Sequence, residues 1–460
     1  MQTARPGEWV DAGLGLSDID FDQYPMRIGT DRYYSREIAQ AEHDRLWTRV
    51  WQVAGREDEL GEPGAWKEYR LGDQSYVIVR GHDGGIAGYV NACRHRGNKI
   101  LTGGRGSCSP AGRIVCPYHM WSYGLDGRLS RVSRPDLVGP IDKDEHGLLP
   151  VSVDRFAGFI FLNPDPDAAP LLDYLGEVAA LLDPYHLEEM VPVLDVRESL
   201  DCNWKVVVDA FAEGYHVDSI HPELTRVVYI DSKKEKFGFF GDHFVVAVPF
   251  EVANVDGFGP AQQVEGIREL PGTFPGVADV IPRFDELVKS YRDQDGTLAL
   301  PGTVTPRTLL QKATRETWTA KGLDVSGLTD AQMSDNHAWQ LFPNFFATIR
   351  AGEATVIVAV PHPDGDPNRC IWHVLGYMWL PPEQREAARV PITEVDVPGS
   401  YEYFLALQQD YEQMPRQQLG LRNRRLEHLS LARHEIRIAH FHRSVDRHLA
   451  AGDRRTTTTG

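Results

Sequence analysis

Two short segments of the chain each offer one cysteine and one histidine. The first, NACRHRGNKI, contains Cys93 and His95, and the second, IVCPYHMWSYG, contains Cys116 and His119. Two thiolates can hold one iron of a [2Fe-2S] cluster while two neutral imidazoles hold the other. The same four side chains could instead hold a structural zinc ion. Zinc sites usually separate a cysteine pair from a histidine pair, so the mixed pairs favour the cluster.

A second group of candidate ligands lies in the segment NWKVVVDAFAEGYHVDSIHPEL, which begins at Asn203. His216 and His221 are separated by four residues within it. On a helix that begins near Asn203, Asp209, Glu213 and His216 would share one face, because they are spaced i, i+4 and i+7. A carboxylate one turn before a ligating imidazole can bind its second ring nitrogen. Taken alone, a histidine pair at this spacing is more often a surface or packing feature than a metal site.

An oxygen-activating iron uses two histidines and one carboxylate, which leave coordination positions open. Asp410, in the segment LALQQDYEQMPRQQLGLR, is one candidate for the carboxylate. Asp396 and Glu402 lie nearby in the sequence and are the alternatives. The sequence therefore predicts a second metal centre, whose ligands come from distant segments.

These motifs resemble those of a known family. The pattern C-x-H-R-G followed by C-P-x-H-x-W is similar to the Rieske domain of ring-hydroxylating oxygenase α subunits, and the Asp410 segment, with Gln418 before Gly420, is similar to their C-terminal ligand helix. The resemblance extends over about residues 40–450. It implies a [2Fe-2S] cluster and a mononuclear Fe(II). The implied cluster ligands are Cys93, His95, Cys116 and His119, and the implied iron ligands are His216, His221 and Asp410.

The sequence departs from related patterns at several positions. Rieske proteins of respiratory complexes add a cysteine to each cluster loop, but those places hold Asn98 and Tyr118 here. We therefore expect no stapling disulfide and a cluster of the lower-potential oxygenase type, with Cys108 as a bystander. In the oxygenases, the acidic residue three positions before the first histidine ligand is usually Asp. Here it is Glu213, as in the branch that oxidises quaternary-ammonium compounds.

The resemblance also implies an assembly. Such subunits form rings of three, with or without a β subunit, in which one subunit's cluster lies beside the next subunit's iron. The expected electron path runs from His119 across to Glu213 and on to His216, with Asp209 as the alternative bridge. Both acidic residues are therefore candidate catalytic residues.

A separate protein is expected to supply the electrons. The chain has no G-x-G-x-x-G after a strand and no P-loop, so NADH or NADPH would act through a ferredoxin or flavin reductase. Arg94, Arg96 and Lys99 surround the expected cluster tip. They could dock an acidic carrier, or they could only tune and solvate the cluster.

The composition is that of a globular enzyme. Of 460 residues, 42% are hydrophobic and 25% are charged, and the formal charge is −18. Such an acidic chain is a poor nucleic-acid binder, since phosphate binding requires clustered Lys and Arg. We find no signal-peptide pattern at the N-terminus and no apolar stretch near the roughly 20 residues that span a bilayer. The expected location is the cytoplasm, where five cysteines suggest metal binding rather than disulfides.

The pattern of elements predicts an α+β protein, and the resemblance implies that an all-β Rieske domain joins a helix-grip catalytic domain. The expected boundaries are an N-terminal helical segment at residues 1–45, the Rieske domain at 46–165, the catalytic domain at 166–450 and a disordered tail at 451–460. Strands are predicted at residues 76–80, 86–92, 156–162, 243–253, 339–349, 354–361 and 370–380. Helices are predicted at residues 171–182, 401–421 and 435–449 and from residue 203. Residues 266–335 read as polar and weakly helical, and could form a lid or an ordinary surface excursion.

Three functions compete at this stage. The first is mono- or dihydroxylation of an aromatic or other hydrophobic substrate, in an apolar pocket near Val217 and either Phe345 or Phe346. The second is oxidative N- or O-demethylation or oxidation of a quaternary-ammonium compound, which Glu213 favours. The third is an electron carrier or a zinc-stabilised binding module. The length argues against the third, because a carrier needs only about the first 165 residues.

Overall fold

The computed structural model describes residues 13–108, 112–224, 234–250 and 259–456. Within these ranges the chain forms two compact units. The large unit consists of the residues up to Ile38 with Leu175–Val360 and Pro367–Arg447. The small unit consists of Ala39–Tyr174 and Pro361–Asp366, with the residues from His448 onward.

The strands are β1 (Arg27–Gly29), β2 (Gln52–Arg56), β3 (Ala65–Leu71), β4 (Gln74–Arg80), β5 (Ile86–Val90), β6 (Arg105–Ser107), β7 (Arg113–Val115), β8 (Ser122–Gly124), β9 (Leu129–Arg131), β10 (Pro150–Phe156), β11 (Phe159–Asn163), β12 (Val191–Leu200), β13 (Lys236–Phe240), β14 (His243–Val248), β15 (Asn336–Leu341), β16 (Phe345–Arg350), β17 (Glu353–Pro361), β18 (Cys370–Met378), β19 (Thr393–Val395) and β20 (His428–Ser430). The α-helices are α1 (Arg36–Glu42), α2 (Pro135–Val138), α3 (Leu171–Leu175), α4 (Glu177–Leu182), α5 (Trp204–Phe211), α6 (Val217–Ile220), α7 (Pro260–Glu269), α8 (Ile281–Lys289), α9 (Pro306–Lys321), α10 (Asp330–Ser334), α11 (Pro382–Ala388), α12 (Leu405–Leu421) and α13 (Ile436–Thr456).

The small unit is built on a seven-stranded sheet of order β2-β11-β10-β5-β4-β3-β6 and a three-stranded sheet of order β7-β8-β9. Its core contains Trp66, Ile114, Trp121 and Tyr123, all buried. The strand predicted at residues 156–162 is wrong at its start, where a hairpin turn lies instead. Ala157 and Gly158 form this turn with φ of 51° and 77°, and a type I′ hairpin turn has positive φ at both central positions.

The large unit is built on an eight-stranded sheet of order β13-β14-β15-β16-β17-β18-β12-β19. The single strand predicted at residues 339–349 is wrong, because β15 and β16 are two antiparallel strands with Leu341 opposite Phe345. Pro343 lies in the turn between them and has no N–H with which to continue a strand ladder. Sheets and helices together confirm the predicted α+β fold.

Residues 266–335 contain more helix than the sequence reading indicated. Helix α9 alone has 16 residues, and the Thr305 side chain accepts a hydrogen bond from the N–H of Thr308 at its start. Leu309, Leu310 and Trp318 are buried on this helix. Polar residues between these positions obscure the helical spacing of the apolar ones, so the sequence pattern underestimates the helix content of this region.

The ends of the chain also differ from the prediction. In the described part of residues 1–45, α1 is the α-helix, and β1 instead pairs with β20 of the large unit. Residues 1–12 lie outside the described residues. Helix α13 continues to Thr456, so a disordered tail beginning at residue 451 is wrong for residues 451–456, where alanine and arginine favour helix. Residues 457–460 lie outside the description. No helix in the described ranges is both long and apolar enough to cross a membrane.

Candidate active site

Helix α5 begins at a cap that the sequence specifies. The Asn203 side chain accepts a hydrogen bond from the N–H of Lys205, and the Asn203 N–H in turn donates to Gln418 Oε1 at 2.9 Å. The Gln418 Nε2 donates to the carbonyl of Tyr33 at 3.1 Å. Gln418 therefore ties helix α12 to the start of the segment that carries the histidine pair.

The predicted common helical face of Asp209, Glu213 and His216 is wrong. Helix α5 ends at Phe211, and the chain turns before α6 begins at Val217. Gly214 lies in this turn, and glycine is a poor helix former because it loses the most backbone entropy. The break separates Asp209 from Glu213 and His216, and gives each carboxylate different partners.

Three predicted iron ligands are brought together by the turn and by helix α12. His221 Nε2 lies 3.1 Å from Asp410 Oδ1, and His216 Nε2 lies 3.5 Å from the same oxygen. One ligand atom from each of the three side chains lies within 4.8 Å of the other two. The alternative carboxylates Asp396 and Glu402 are exposed and do not belong to this group. We call His216, His221 and Asp410 the triad.

Second partners fix the orientation of both triad histidines. His216 Nδ1 donates to Glu213 Oε1 at 2.5 Å, and His221 Nδ1 donates to Gln409 Oε1 at 2.7 Å. In the neutral imidazoles this leaves each Nε2 unprotonated and turned toward Asp410. Two imidazole nitrogens and one carboxylate oxygen at such separations fit a metal ion that keeps open coordination positions. Sequence reasoning missed Gln409, and its position next to Asp410 was the available signal.

The electrostatics of the triad follow from these contacts. Burial opposes protonation of His216, but the hydrogen bond and the negative charge of Glu213 outweigh burial and raise the pKa of His216. Burial likewise acts to raise the pKa of Glu213, but the hydrogen bond and the charge of His216 outweigh it and lower that pKa. Glu213 is therefore a carboxylate when it holds the ring of His216.

Asp209 has a different environment from Glu213. Tyr33 Oη donates to Asp209 Oδ2 at 2.6 Å, and His442 Nε2 lies 3.1 Å from Asp209 Oδ1. All three side chains are buried in the large unit. Among the described contacts, Glu213 touches a triad histidine and Asp209 does not. Glu213 is thus the better placed of the two candidate bridging residues.

A cavity of about 170 Å³ opens beside the triad. Its wall includes Val217 and Phe346, which are two of the three pocket residues that the sequence suggests. Phe345 is buried but is not in the wall, because neighbouring residues on β16 point to opposite faces of the sheet. The wall is mainly apolar, with polar positions at Thr273, Asn336, Thr348 and Thr355.

The predicted cluster ligands come together in the small unit. Cys93 and Cys116 are buried, while His95 and His119 are partly exposed. The two Nδ1 atoms of His95 and His119 lie 3.1 Å apart. Trp121 stacks on His95 with ring centroids 4.9 Å apart, so one aromatic side chain fixes the orientation of that imidazole.

The spacing of the four side chains bears on the choice between cluster and zinc. A single tetrahedral zinc requires all four ligand atoms within a sphere of about 2 Å radius. Within the described part of the chain, no three of these four side chains bring their ligand atoms within 4.8 Å of one another. The two histidine Nδ1 atoms instead form a close pair of their own, as expected when both imidazoles bind one iron of the cluster and both thiolates bind the other. The geometry therefore fits the cluster better than zinc.

Tyr123 is a further residue of the cluster site that sequence reasoning missed. Its hydroxyl lies 3.2 Å from Cys93 Sγ and accepts a hydrogen bond from the N–H of Arg94 at 3.1 Å. Burial raises the pKa of Cys93, which the contact with Tyr123 partly offsets. Tyr123 follows Trp121 in the same motif, and this proximity was the available signal.

The predicted docking cations lie at the surface but differ in their contacts. Lys99 Nζ is 2.5 Å from Glu68 Oε1, so its charge is partly balanced within the small unit. Arg96 lies over the ring of Tyr118 at 5.6 Å. Arg94 is exposed and donates to the carbonyl of Glu145 at 3.3 Å. Among the described residues, Lys99 is thus ion-paired, whereas Arg94 and Arg96 form no ion pair.

Sequence models of two protein families match this chain. The model described as the ring hydroxylating alpha subunit (catalytic domain) matches residues 185–451, and the model described as the Rieske [2Fe-2S] domain matches residues 50–140. The first match contains the triad and covers more than half of the chain. The second match contains all four cysteines and histidines of the cluster site.

Curated relatives match over part of their length. The carnitine monooxygenase oxygenase subunit of Acinetobacter pittii is 30% identical over 201 residues, which are 43% of this chain and 53% of that protein. The benzene 1,2-dioxygenase subunit alpha of Pseudomonas putida is 32% identical over 205 residues, which are 43% of this chain and 44% of that protein. The chain thus spans about half the length of the curated relatives it matches.

A solved structure shares the fold over nearly the full length. Naphthalene 1,2-dioxygenase from Rhodococcus sp., bound to indole, superimposes with a TM-score of 0.62 at 18% identity. The match covers 96% of this chain and 98% of that one. At this identity the likeness establishes a shared fold.

Proposed function

Since this chain belongs to the family of ring hydroxylating α subunits with a Rieske domain, we propose that it is a terminal oxygenase component. It takes electrons from a ferredoxin or flavin reductase that uses NADH or NADPH. With O2 it hydroxylates an aromatic or other hydrophobic substrate. The observation that carries this proposal is the convergence of His216, His221 and Asp410 at the wall of an apolar cavity.

The chain's own residues hold a metal and position a substrate. His216, His221 and Asp410 would hold Fe(II), and an iron with this ligand set supplies open positions for O2 activation. Glu213 keeps the His216 ring turned so that Nε2 faces Asp410, and Gln409 does the same for His221. The apolar wall excludes water from the face of the substrate that meets the triad.

The small unit would supply electrons singly. Cys93, His95, Cys116 and His119 would hold a [2Fe-2S] cluster, whose function is one-electron transfer. We propose a homotrimer in which the cluster histidine of one subunit faces Glu213 of the next, and the contact of Glu213 with His216 supports this arrangement. Co-expressing Cys93→Ala and His216→Ala chains tests it. Mixed trimers should regain activity that neither variant has alone, and mixtures that remain inactive would contradict the ring arrangement.

The oxygenase proposal is tested by turnover with isotope-labelled O2. The holoenzyme, a reductase system and a panel of aromatic hydrocarbons and aromatic acids should give products that carry oxygen from O2. One labelled atom per product indicates monooxygenation, and two indicate dihydroxylation. Oxygen uptake that stays at the substrate-free rate across the panel would refute the proposal.

A second candidate function is oxidation of a quaternary-ammonium compound. Four phenylalanines line the cavity, namely Phe211, Phe274, Phe346 and Phe404. Aromatic faces attract quaternary ammonium groups. Glu213, three positions before His216, is also the residue in which the sequence resembles the branch that oxidises quaternary-ammonium compounds. Glycine betaine serves as the probe. Formaldehyde released in step with oxygen uptake supports oxidative demethylation, and the absence of both counts against this candidate.

A further inference from the structure

One cationic residue lines the triad cavity among the described residues. Arg437 lies in the first turn of α13 and is only 2% exposed. The other ionisable residues of the wall are Glu213 and the three triad residues, all engaged as described above. The function of Arg437 is therefore not explained by metal binding or by the orientation of the histidines.

The guanidinium of Arg437 has unsatisfied hydrogen-bond donors. No hydrogen bond or ion pair among the described residues reaches it, and its Nε is buried without a partner. Its Cζ lies over the ring of Phe237, 5.7 Å from the ring centroid. Burial lowers the pKa of Arg437 to about 10, so the group remains charged at neutral pH. A buried, charged donor without a partner costs about 1–3 kcal/mol or more.

The two carboxylates that attract Arg437 each contact a histidine through one oxygen, while Glu235 Oε1 has no hydrogen-bond partner among the described residues. Glu235 and Glu213 both stabilise its charge through space. Glu235 Oε2 lies 2.5 Å from His434 Nε2, and Glu213 Oε1 accepts from His216 Nδ1. Neither forms an ion pair with Arg437 within the described structure. The guanidinium N–H groups are consequently available to a group that enters the cavity.

We propose that the cavity takes a substrate with an apolar body and one carboxylate, and that Arg437 pairs with this carboxylate. The proposal rests on the oxygenase function above and adds the substrate class. A guanidinium matches a carboxylate with two parallel N–H···O bonds, which fix direction as well as distance. The apolar body would then lie along the phenylalanines, and the anchored carboxylate would determine which carbon faces the triad. A neutral hydrocarbon would leave the guanidinium unsatisfied and is disfavoured.

Binding without turnover tests this assignment. The iron-loaded holoenzyme is titrated calorimetrically, without O2, with benzoate, 3-phenylpropanoate and 4-phenylbutanoate and with the corresponding amides. At least one acid should bind on the order of 10-fold to 100-fold more tightly than its amide. Arg437→Met should abolish this difference and leave amide binding unchanged, and Arg437→Lys should retain part of it. Arg443→Met removes an arginine of the same helix that contacts Gln23 and Tyr24 outside the cavity wall, and it should keep the full preference.

Several outcomes would overturn the assignment. If no acid binds better than its amide in the wild-type protein, the substrate class is wrong. If the preference persists in Arg437→Met, the carboxylate is bound elsewhere, for example by the iron. The wild-type comparison and Arg437→Lys keep the test valid if Arg437→Met does not fold. An intact acid preference without any oxygen uptake would refute the oxygenase proposal alone.

Discussion

The cluster site and the triad are built in different ways from the same kinds of ligand. All four cluster ligands lie in one short stretch of sequence, between Cys93 and His119. The cluster histidines are partly exposed. In the triad, His221 and Asp410 are 189 residues apart, and carboxylate or amide groups hold the histidine rings. An electron relay needs an accessible edge, whereas substrate oxidation needs an enclosed and oriented metal. The difference predicts that each site can be lost without the other.

The largest effect should come from removing a cluster ligand. Cys93→Ala should eliminate the visible absorbance of the cluster and all turnover, because the thiolate is buried and has no substitute. Iron bound by the triad should remain. Absorbance spectra and metal analysis measure both.

Cys108→Ala is the matched control for this change. Cys108 lies in the same unit but outside the ligand set, so its removal should leave the spectrum intact. A spectrum that survives Cys93→Ala but changes in Cys108→Ala would show that the cluster ligands are wrongly assigned.

A smaller effect is expected from weakening the support of the triad. Glu213→Gln removes the charge that holds His216 and should weaken Fe(II) binding about 10-fold. Asp209→Asn is the matched control, since Asp209 binds Tyr33 and His442 and not the triad. It should lower thermal stability while Fe(II) affinity stays within about twofold of wild type. Equal losses of Fe(II) affinity in the two variants would remove the distinction between these carboxylates.

The pH dependence of Fe(II) binding should also show that Glu213 supports the triad. Burial opposes protonation, but Glu213 and Asp410 outweigh it and raise the pKa of His216 and of His221 respectively. Because the metal must displace both protons, Fe(II) affinity should fall as the pH decreases through these raised values. Dissociation constants measured across a pH series provide the check. In Glu213→Gln the fall should move to lower pH, and an unchanged profile would argue against the role of Glu213.

The pH dependence of folding stability in the iron-free protein has the opposite sign to the pH dependence of Fe(II) affinity. A histidine whose pKa is raised on folding contributes stability that is fully present below the ordinary imidazole value and is lost as the pH rises through the raised value. Thermal unfolding of the iron-free protein should therefore show that the contribution of His216 and His221 decreases as the pH rises above the ordinary imidazole value.

The smallest effect concerns the exposed edge of the small unit. Arg94→Glu should slow cluster reduction by an acidic ferredoxin several-fold at low salt, and the difference should disappear at high salt. Arg128→Glu changes an exposed arginine of the same unit and should have little effect. Stopped-flow reduction rates measure both, and equal rates for Arg94→Glu and wild type would exclude this docking role.

The two sites also differ in how much of them the sequence could predict. The cluster residues are close in sequence, so residue type and spacing were sufficient to propose all four. Asp410 could be linked to the histidines only through family resemblance, because contacts between distant segments depend on how α12 packs on α5. The expected shared face of Asp209 and Glu213 failed since the helix ends before Glu213.

The elements of the fold likewise differ in how well the sequence predicts them. Strands with continuous apolar runs, such as β4, are located from the sequence, whereas the hairpin at Pro343 and the helices between residues 260 and 334 are not. Gln409 and Arg437 were not predicted at all. Their importance arises from what they face in the folded chain, and their local sequence patterns are ordinary.

Metal analysis of His216→Ala tests the central claim most directly. The wild-type holoenzyme should contain about three iron atoms per chain, two in the cluster and one in the triad. His216→Ala should contain about two and should keep the cluster spectrum. Retention of the full iron content and of turnover by His216→Ala would contradict the assignment, and so would zinc in place of iron in the wild-type protein.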